Sequence, residues 1–172
     1  MQLDPTTQRL VGLLDEACPD LVAAVVRSLC DDDVGNRIVA LRRDLASHAC
    51  EAVRVAVAQH LRADSSGSPA ASALIGLMAD EATDVRDWAT FSLGTQSDAD
   101  SPDIRAALAE RLADDDEETR LEAMVGLARR QDRRALPMVL AELESDEVAN
   151  SAIEAAGALA LPELVAPLQA VQ

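Results

Sequence analysis

Residues 84–94 read Asp84-Val85-Arg86-Asp87-Trp88-Ala89-Thr90-Phe91-Ser92-Leu93-Gly94. Val85, Ala89 and Leu93 stand at intervals of four, so a helix puts them on one face. The same face recurs along the chain. Leu29, Leu61, Leu93, Leu127 and Leu159 follow one another at spacings of 32, 32, 34 and 32 residues. Four residues before each stands Val25, Val57, Ala89, Ala123 or Ala155. Eight before each stands Leu21, Val53, Val85, Thr119 or Ser151. Five residues earlier still, Glu16, His48, Asp80, Asp114 and Asp146 fit the turn that precedes a helix, where carboxylates accept amide hydrogens and favour the positive dipole end.

Between these helices lie further amphipathic stretches, at roughly 6–15, 35–47, 70–79, 102–113, 134–144 and 161–171. Pro102 and Pro162 suit a first helical turn, where the missing amide hydrogen costs nothing. Turn-rich segments separate the units: Asp31-Asp32-Asp33, Ser65-Ser66-Gly67-Ser68-Pro69 and Ser97-Asp98-Ala99-Asp100-Ser101. No strand pattern competes. The expected fold is all-α: a solenoid of about five helical hairpins plus a C-terminal helix, one repeat domain over 1–172.

Composition narrows the function. Of 172 residues, 49% are hydrophobic, which excludes a disordered chain. With one Trp, one Phe and no Tyr, aromatics are replaced by Ala and Leu, which number 33 and 23 in the whole chain. Its 15 basic residues are all Arg, set against 31 acidic ones, for a net charge of −16. A nucleic-acid partner is therefore not expected, since it needs a basic face to displace counterions. No apolar run approaches the ~20 residues of a membrane helix. The opening residues MQLDPTTQRL lack the pattern of a signal peptide, so a cytoplasmic setting is expected. Cys18, Cys30 and Cys50 have no framework spacing and read as reduced thiols.

The segment Asp84–Gly94 resembles the second helix of a HEAT repeat, and Arg134-Ala135-Leu136-Pro137-Met138-Val139-Leu140 resembles the first. The likeness runs over residues 3–171 and is similar to the short bacterial HEAT group that includes bilin-lyase-like repeats. It implies an α-solenoid, HEAT-like hairpins and, most often, protein binding, with the second helix of each pair lining a concave surface. Val22 and Ala152 stand where Arg54, Arg86 and Arg120 stand in the middle repeats, which suits end repeats that stack on one side only.

In that register Asp87, Trp88 and Phe91 point outward from the third repeat, as do Leu121, Glu122 and Val125 from the fourth. Val55, Ala56 and Gln59 follow from the second, and Ile153, Glu154 and Gly157 from the fifth. The candidate partner-binding patch is Trp88, Phe91, Asp87, Leu121, Glu122, Val125, Val55, Gln59, Ile153 and Glu154. Large rings supply the most contact energy at interfaces. The alternative is that the rings fold back and plug gaps in a small-residue core.

Other constellations carry less. The Arg54, Arg86 and Arg120 ladder could clamp a carboxylate, or each arginine could pair with an acid of the preceding turn, such as Asp80, Asp84 or Asp114. Asp98, Asp100 and Asp103 lack the Gly and Glu that a helix–loop–helix calcium site requires. His48, His60 and the cysteines lack the short paired spacings of a zinc site. No phosphate loop, nucleophile elbow or paired-His motif is present, so neither a catalytic residue nor a cofactor nor a metal is expected. The functional expectation is a non-enzymatic interaction module for a basic protein or peptide, such as an inhibitor, immunity or adaptor protein. The competing class is an enzyme or enzyme subunit of the bilin-lyase-like type.

Overall fold

The computed structural model describes residues 3–170, and among them every regular element is helical. The helices are α1 (Pro5–Leu13), α2 (Pro19–Leu29), α3 (Asp33–Leu41), α4 (Arg43–Ala46), α5 (Glu51–His60), α6 (Pro69–Leu77), α7 (Thr83–Gly94), α8 (Pro102–Arg111), α9 (Glu117–Arg129), α10 (Leu136–Leu143), α11 (Asn150–Leu159) and α12 (Val165–Ala170). Short 3-10 turns, Arg133–Ala135 and Pro162–Leu164, lead into α10 and α12. Successive hairpins stack. Helices α2, α5, α7, α9 and α11 pack in order as one layer, and α3, α4, α6 and α8 run along the other. Residues 171–172, the end of the expected sixth outer stretch, lie outside the described part.

Starts and stops follow from local chemistry. Asp4, Asp32, Ser68, Ser101 and Asp116 cap their helices by accepting amide hydrogens. Pro5, Pro19, Pro69 and Pro102 open the first turns. Three of the five turn positions expected before the second helices, those of the middle repeats, act two residues upstream of the amide they satisfy. His48 Nδ1 accepts from the Cys50 amide (3.0 Å), Asp80 from Ala82 (2.9 Å) and Asp114 from Asp116 (3.1 Å).

The recurring leucines Leu29, Leu61, Leu93, Leu127 and Leu159 are all buried between the layers. Leu93→Ala should cost about 2–5 kcal/mol through lost burial and a residual cavity. Urea denaturation checks this, and a loss below about half a kcal/mol contradicts the register. The first repeat departs from the pattern. Leu21 is 37% exposed, whereas its counterparts Val53, Val85 and Thr119 are buried. Helix α2 has a stacked neighbour of its own layer on one side only, so that edge stays open.

A second departure is the outer helix expected over 35–47, which breaks at Arg42 (φ −86°, ψ 77°). In an unbroken helix Leu41 and Leu45 would share a face. The break separates them: Leu45 is 1% exposed in the core and Leu41 is 68% exposed. Asp44 (2.8 Å) and Asp15 (2.7 Å) hold the Arg42 guanidinium at the break.

The arginine ladder joins repeats in the direction opposite to that expected. Arg54 donates through Nη1 to the His48 carbonyl (2.8 Å) of its own preceding turn, and through Nε and Nη2 to the Asp80 carboxylate (2.7 and 2.9 Å) of the next repeat. Arg86 repeats this with the Asp80 carbonyl (3.1 Å) and the Asp114 carboxylate (2.9 and 2.9 Å). The preceding turn supplies carbonyls and the following turn the carboxylate. The Arg86 fork holds Asp114 far below the usual carboxylate range despite burial. Arg120 reaches the Asp114 carbonyl (2.9 Å), and no acid of the following turn closes on it. The ladder is thus an internal staple, not a clamp for a ligand.

Candidate functional site

The exposed side of the second-helix layer carries most of the patch expected from the sequence. Trp88 and Phe91, one turn apart on α7, meet edge-to-face with centroids 5.8 Å apart and planes at 80°. Both are half-buried. Trp88 lies against the core, so it joins the two readings of the sequence: one side fills the core and the other is open. Leu121, Val55 and Gln59 are also half-buried, Ile153 is 42% exposed and Glu154 is exposed. Val55 and Gln59 line a shallow groove of about 700 Å³ across α2, α5 and α7, with Asp20, Arg27, Glu51 and Asp84 at its margins.

Val125 departs from expectation, as does Ala56, also expected to point outward and 3% exposed. Val125 is 3% exposed and belongs to the core. Helices α7 and α9 cross almost backbone to backbone, such that a Cβ on Gly126 would lie 2.7 Å from the Gly94 Cα. Without side chains to hold the helices apart, the space beside Gly126 closes over Val125.

The carboxylates of this face are less ordinary than its apolar residues. Asp87 is half-buried and has no hydrogen-bond or ion-pair partner among the described residues. Burial pushes its pKa from 3.8 up to about 6, and Glu118, Glu122, Asp116 and Asp84 add repulsion. Glu122 is also raised, first by burial, with Glu154 and Glu118 adding to it, although Thr95 Oγ1 donates to its Oε2 at 2.9 Å. None of Asp84, Asp87, Glu118, Glu122 or Glu154 takes part in an ion pair among the described residues, while Asp80, Asp100, Asp114 and Asp132 all do. Glu118 and Asp84 are the members that the sequence reasoning missed. Their signal was present: Glu118 and Glu122 stand four apart on one helix, a like-charge pair that destabilises a helix unless something offsets it.

Asp87→Asn should therefore stabilise the free protein at neutral pH. A carboxyl raised from 3.8 to about 6 contributes stability below its unfolded value, and loses it as pH rises through about 6. Asparagine does not ionise. The gain should be on the order of 1 kcal/mol above about pH 6, after allowance for solvent screening of a half-exposed group, and absent near pH 3.8. Denaturation midpoints across pH check it, and a loss of stability at neutral pH contradicts it.

The remaining candidates resolve into structure. Asp100 forms a two-pronged pair with Arg105 (2.7 and 2.6 Å). Cys30 is buried, which pushes its thiol up to about 12, while Cys18 and Cys50 occupy the matching N-cap positions of α2 and α5. Among the described residues no three His, Cys, Asp or Glu side chains converge as a metal site, and no helix is long and apolar enough to cross a membrane.

No protein-family model matches the chain. Over 86 residues it is 43% identical to the protein YibA of Escherichia coli K12 and to that of Escherichia coli O157:H7, a stretch covering 50% of this chain and 30% of theirs. The X-ray structure of Escherichia coli YibA superposes with a TM-score of 0.67 at 23% identity, covering 95% of this chain and 73% of that one. This likeness concerns the fold. The chain is an all-helical repeat protein that is similar, over half its length, to about a third of YibA.

Proposed function

We propose that the chain is a non-enzymatic protein-interaction module of HEAT-repeat type, which binds a basic protein or peptide on a concave face formed by α5, α7, α9 and α11. An inhibitor, immunity or adaptor protein has this character. The observation that carries the reading is the pairing of Trp88 and Phe91, the chain's only aromatic residues, with carboxylates that no arginine neutralises. Elsewhere Arg54, Arg86, Arg111 and Arg130 are spent on internal contacts. Half-exposed rings provide anchor energy, and unpaired acids around them select a cationic partner. The net charge of −16 adds steering, so association should slow as salt rises. A cytoplasmic setting belongs to the reading and is supported by three free thiols.

The test is affinity capture of a partner, followed by variants measured on the captured complex. Phe91→Ala and Trp88→Ala should each weaken binding by about 2 kcal/mol, near thirtyfold. Phe91→Ala separates binding from folding, because Phe91 rests on Trp88 instead of on the core. Leu41→Ala, on the outer layer, should leave affinity unchanged. Equal retention of the partner by all three variants contradicts the assignment of the face.

A further inference from the structure

We propose that the α7–α9 face holds a seat for one guanidinium group of a basic partner, with Phe91 as its floor and Asp87 and Glu122 as its walls. This rests on the interaction reading above and deepens it by naming the side chain that is recognised.

The geometry begins with one line along α7. Asp87, Phe91 and Thr95 stand at intervals of four, so the ring lies between an acid one turn before it and a hydroxyl one turn after it. Thr95 Oγ1 fixes Oε2 of Glu122 from the neighbouring helix at 2.9 Å and leaves Oε1 free. An acidic residue thus stands one turn before Phe91, and Glu122 is tied to the residue one turn after it. Trp88 backs that ring edge-to-face at 5.8 Å, which limits its freedom to turn aside. A planar cation above an aromatic face with carboxylates at two sides is the environment that a guanidinium fits best. It stacks flat, donates in a fork and sheds its hydration more readily than an ammonium.

Charge complementarity sets the occupant. The groups facing the seat are Asp84 and Asp87 on α7, Asp116 ahead of α9, Glu118 and Glu122 on α9 and Glu154 on α11, with Glu51 of α5 across the groove from Asp84. Two arginines lie nearby, Arg27 in the groove and Arg129 on the Thr95 carbonyl, and neither forms an ion pair with these acids among the described residues, so the acids stay in excess. Below about pH 6 the free protein relieves burial and mutual repulsion by holding a proton on Asp87, which is mostly ionised at neutral pH. A bound cation removes that repulsion, so Asp87 ionises and its proton leaves to solvent. Affinity for the cation then falls as pH drops through the Asp87 titration.

The probe is the peptide Arg-Gly-Arg-Gly-Arg, titrated at about 0.15 M salt to limit long-range attraction. Trp88 is the chain's single Trp, so its emission reports this site alone. A saturable change in emission is expected. The dissociation constant should rise about tenfold or more in Asp87→Asn/Glu122→Gln. It should move less than about twofold in Asp103→Asn/Glu110→Gln, which removes the same charge from the outer layer. Binding to the unaltered protein should weaken about tenfold from neutral pH to about pH 5, and the double variant at the seat should show no such dependence. The lysine peptide Lys-Gly-Lys-Gly-Lys should bind more weakly. Equal losses in the two double variants, or binding without any Trp88 response, overturn the seat and leave the basic-partner reading standing. A failure of the arginine peptide to bind at either pH overturns both.

Discussion

Arg130→Met should lower the stability of the protein by about 3–5 kcal/mol, since it strips a charged donor from a buried network of carbonyls. Arg130 caps the C-terminal end of α9, is buried and has no carboxylate within ion-pair distance among the described residues. Its guanidinium donates instead to the carbonyls of Leu93 (2.6 Å), Gly94 (2.9 Å), Ser97 (3.0 Å), Ala99 (2.7 Å) and Gly126 (2.8 Å). Leu93 and Gly94 close α7 and Gly126 lies in the last turn of α9, so one cation serves the negative ends of two helices. It also ties down the loop into α8. Burial lowers its pKa, but an arginine stays charged. Methionine fills comparable space and donates nothing, which leaves loop carbonyls buried without partners. Urea denaturation with far-UV circular dichroism reads the loss, and a change below about 1 kcal/mol shows that water replaces the guanidinium.

Gly35→Ala should cost about 3 kcal/mol or more, because the added methyl has nowhere to go. A Cβ on Gly35 would lie 1.9 Å from the Leu29 carbonyl oxygen and 2.6 Å from its carbon. Those atoms are backbone at the end of α2 and cannot rotate away. Gly35 also donates its amide to the Asp32 cap (2.8 Å), so moving α3 would break the start of that helix. In a stacked array the damage should stay near its origin. Hydrogen exchange should accelerate in α1, α2 and α3 while α7, α9 and α11 keep their protection. Uniform acceleration along the chain would mean that the repeats unfold as one unit.

The fold was legible because a single face, Val85, Ala89 and Leu93, recurs with one register in every hairpin. Its interruptions were not. Nothing in the residues around Arg42 marks a break, since the separation of Leu41 from Leu45 answers to packing against a helix distant in sequence. The partners of Arg54 and Arg86 lie 26 and 28 residues ahead, and helical spacing within a repeat says nothing of contacts between repeats. Arg129 and Arg130 are neighbours of identical chemistry, yet only the second points inward. At the candidate site, periodicity put Trp88, Phe91, Asp87 and Glu122 on outward positions of one layer, where all four are half-buried. It misplaced Val125 because a glycine crossing between two helices determines how closely they approach. The raised proton affinity of Asp87 arises first from burial and then from Glu118, Glu122 and Asp116 of the neighbouring hairpin with Asp84 of its own helix, which a periodic reading of α7 alone does not bring together.

In the proposed function, the acidic aromatic face of the second-helix layer is the surface that a partner covers. Carboxyl footprinting measures this most directly, because the chain offers 31 acidic side chains spread over both layers. The protein is labelled at carboxylates alone and with a captured basic partner bound, and the modified sites are compared. Labelling at Glu118, Glu122 and Glu154 should fall when the partner is bound, while Asp103 and Glu110 on α8 should react as before. Protection of Asp103 and Glu110, with Glu118, Glu122 and Glu154 unchanged, would contradict the account.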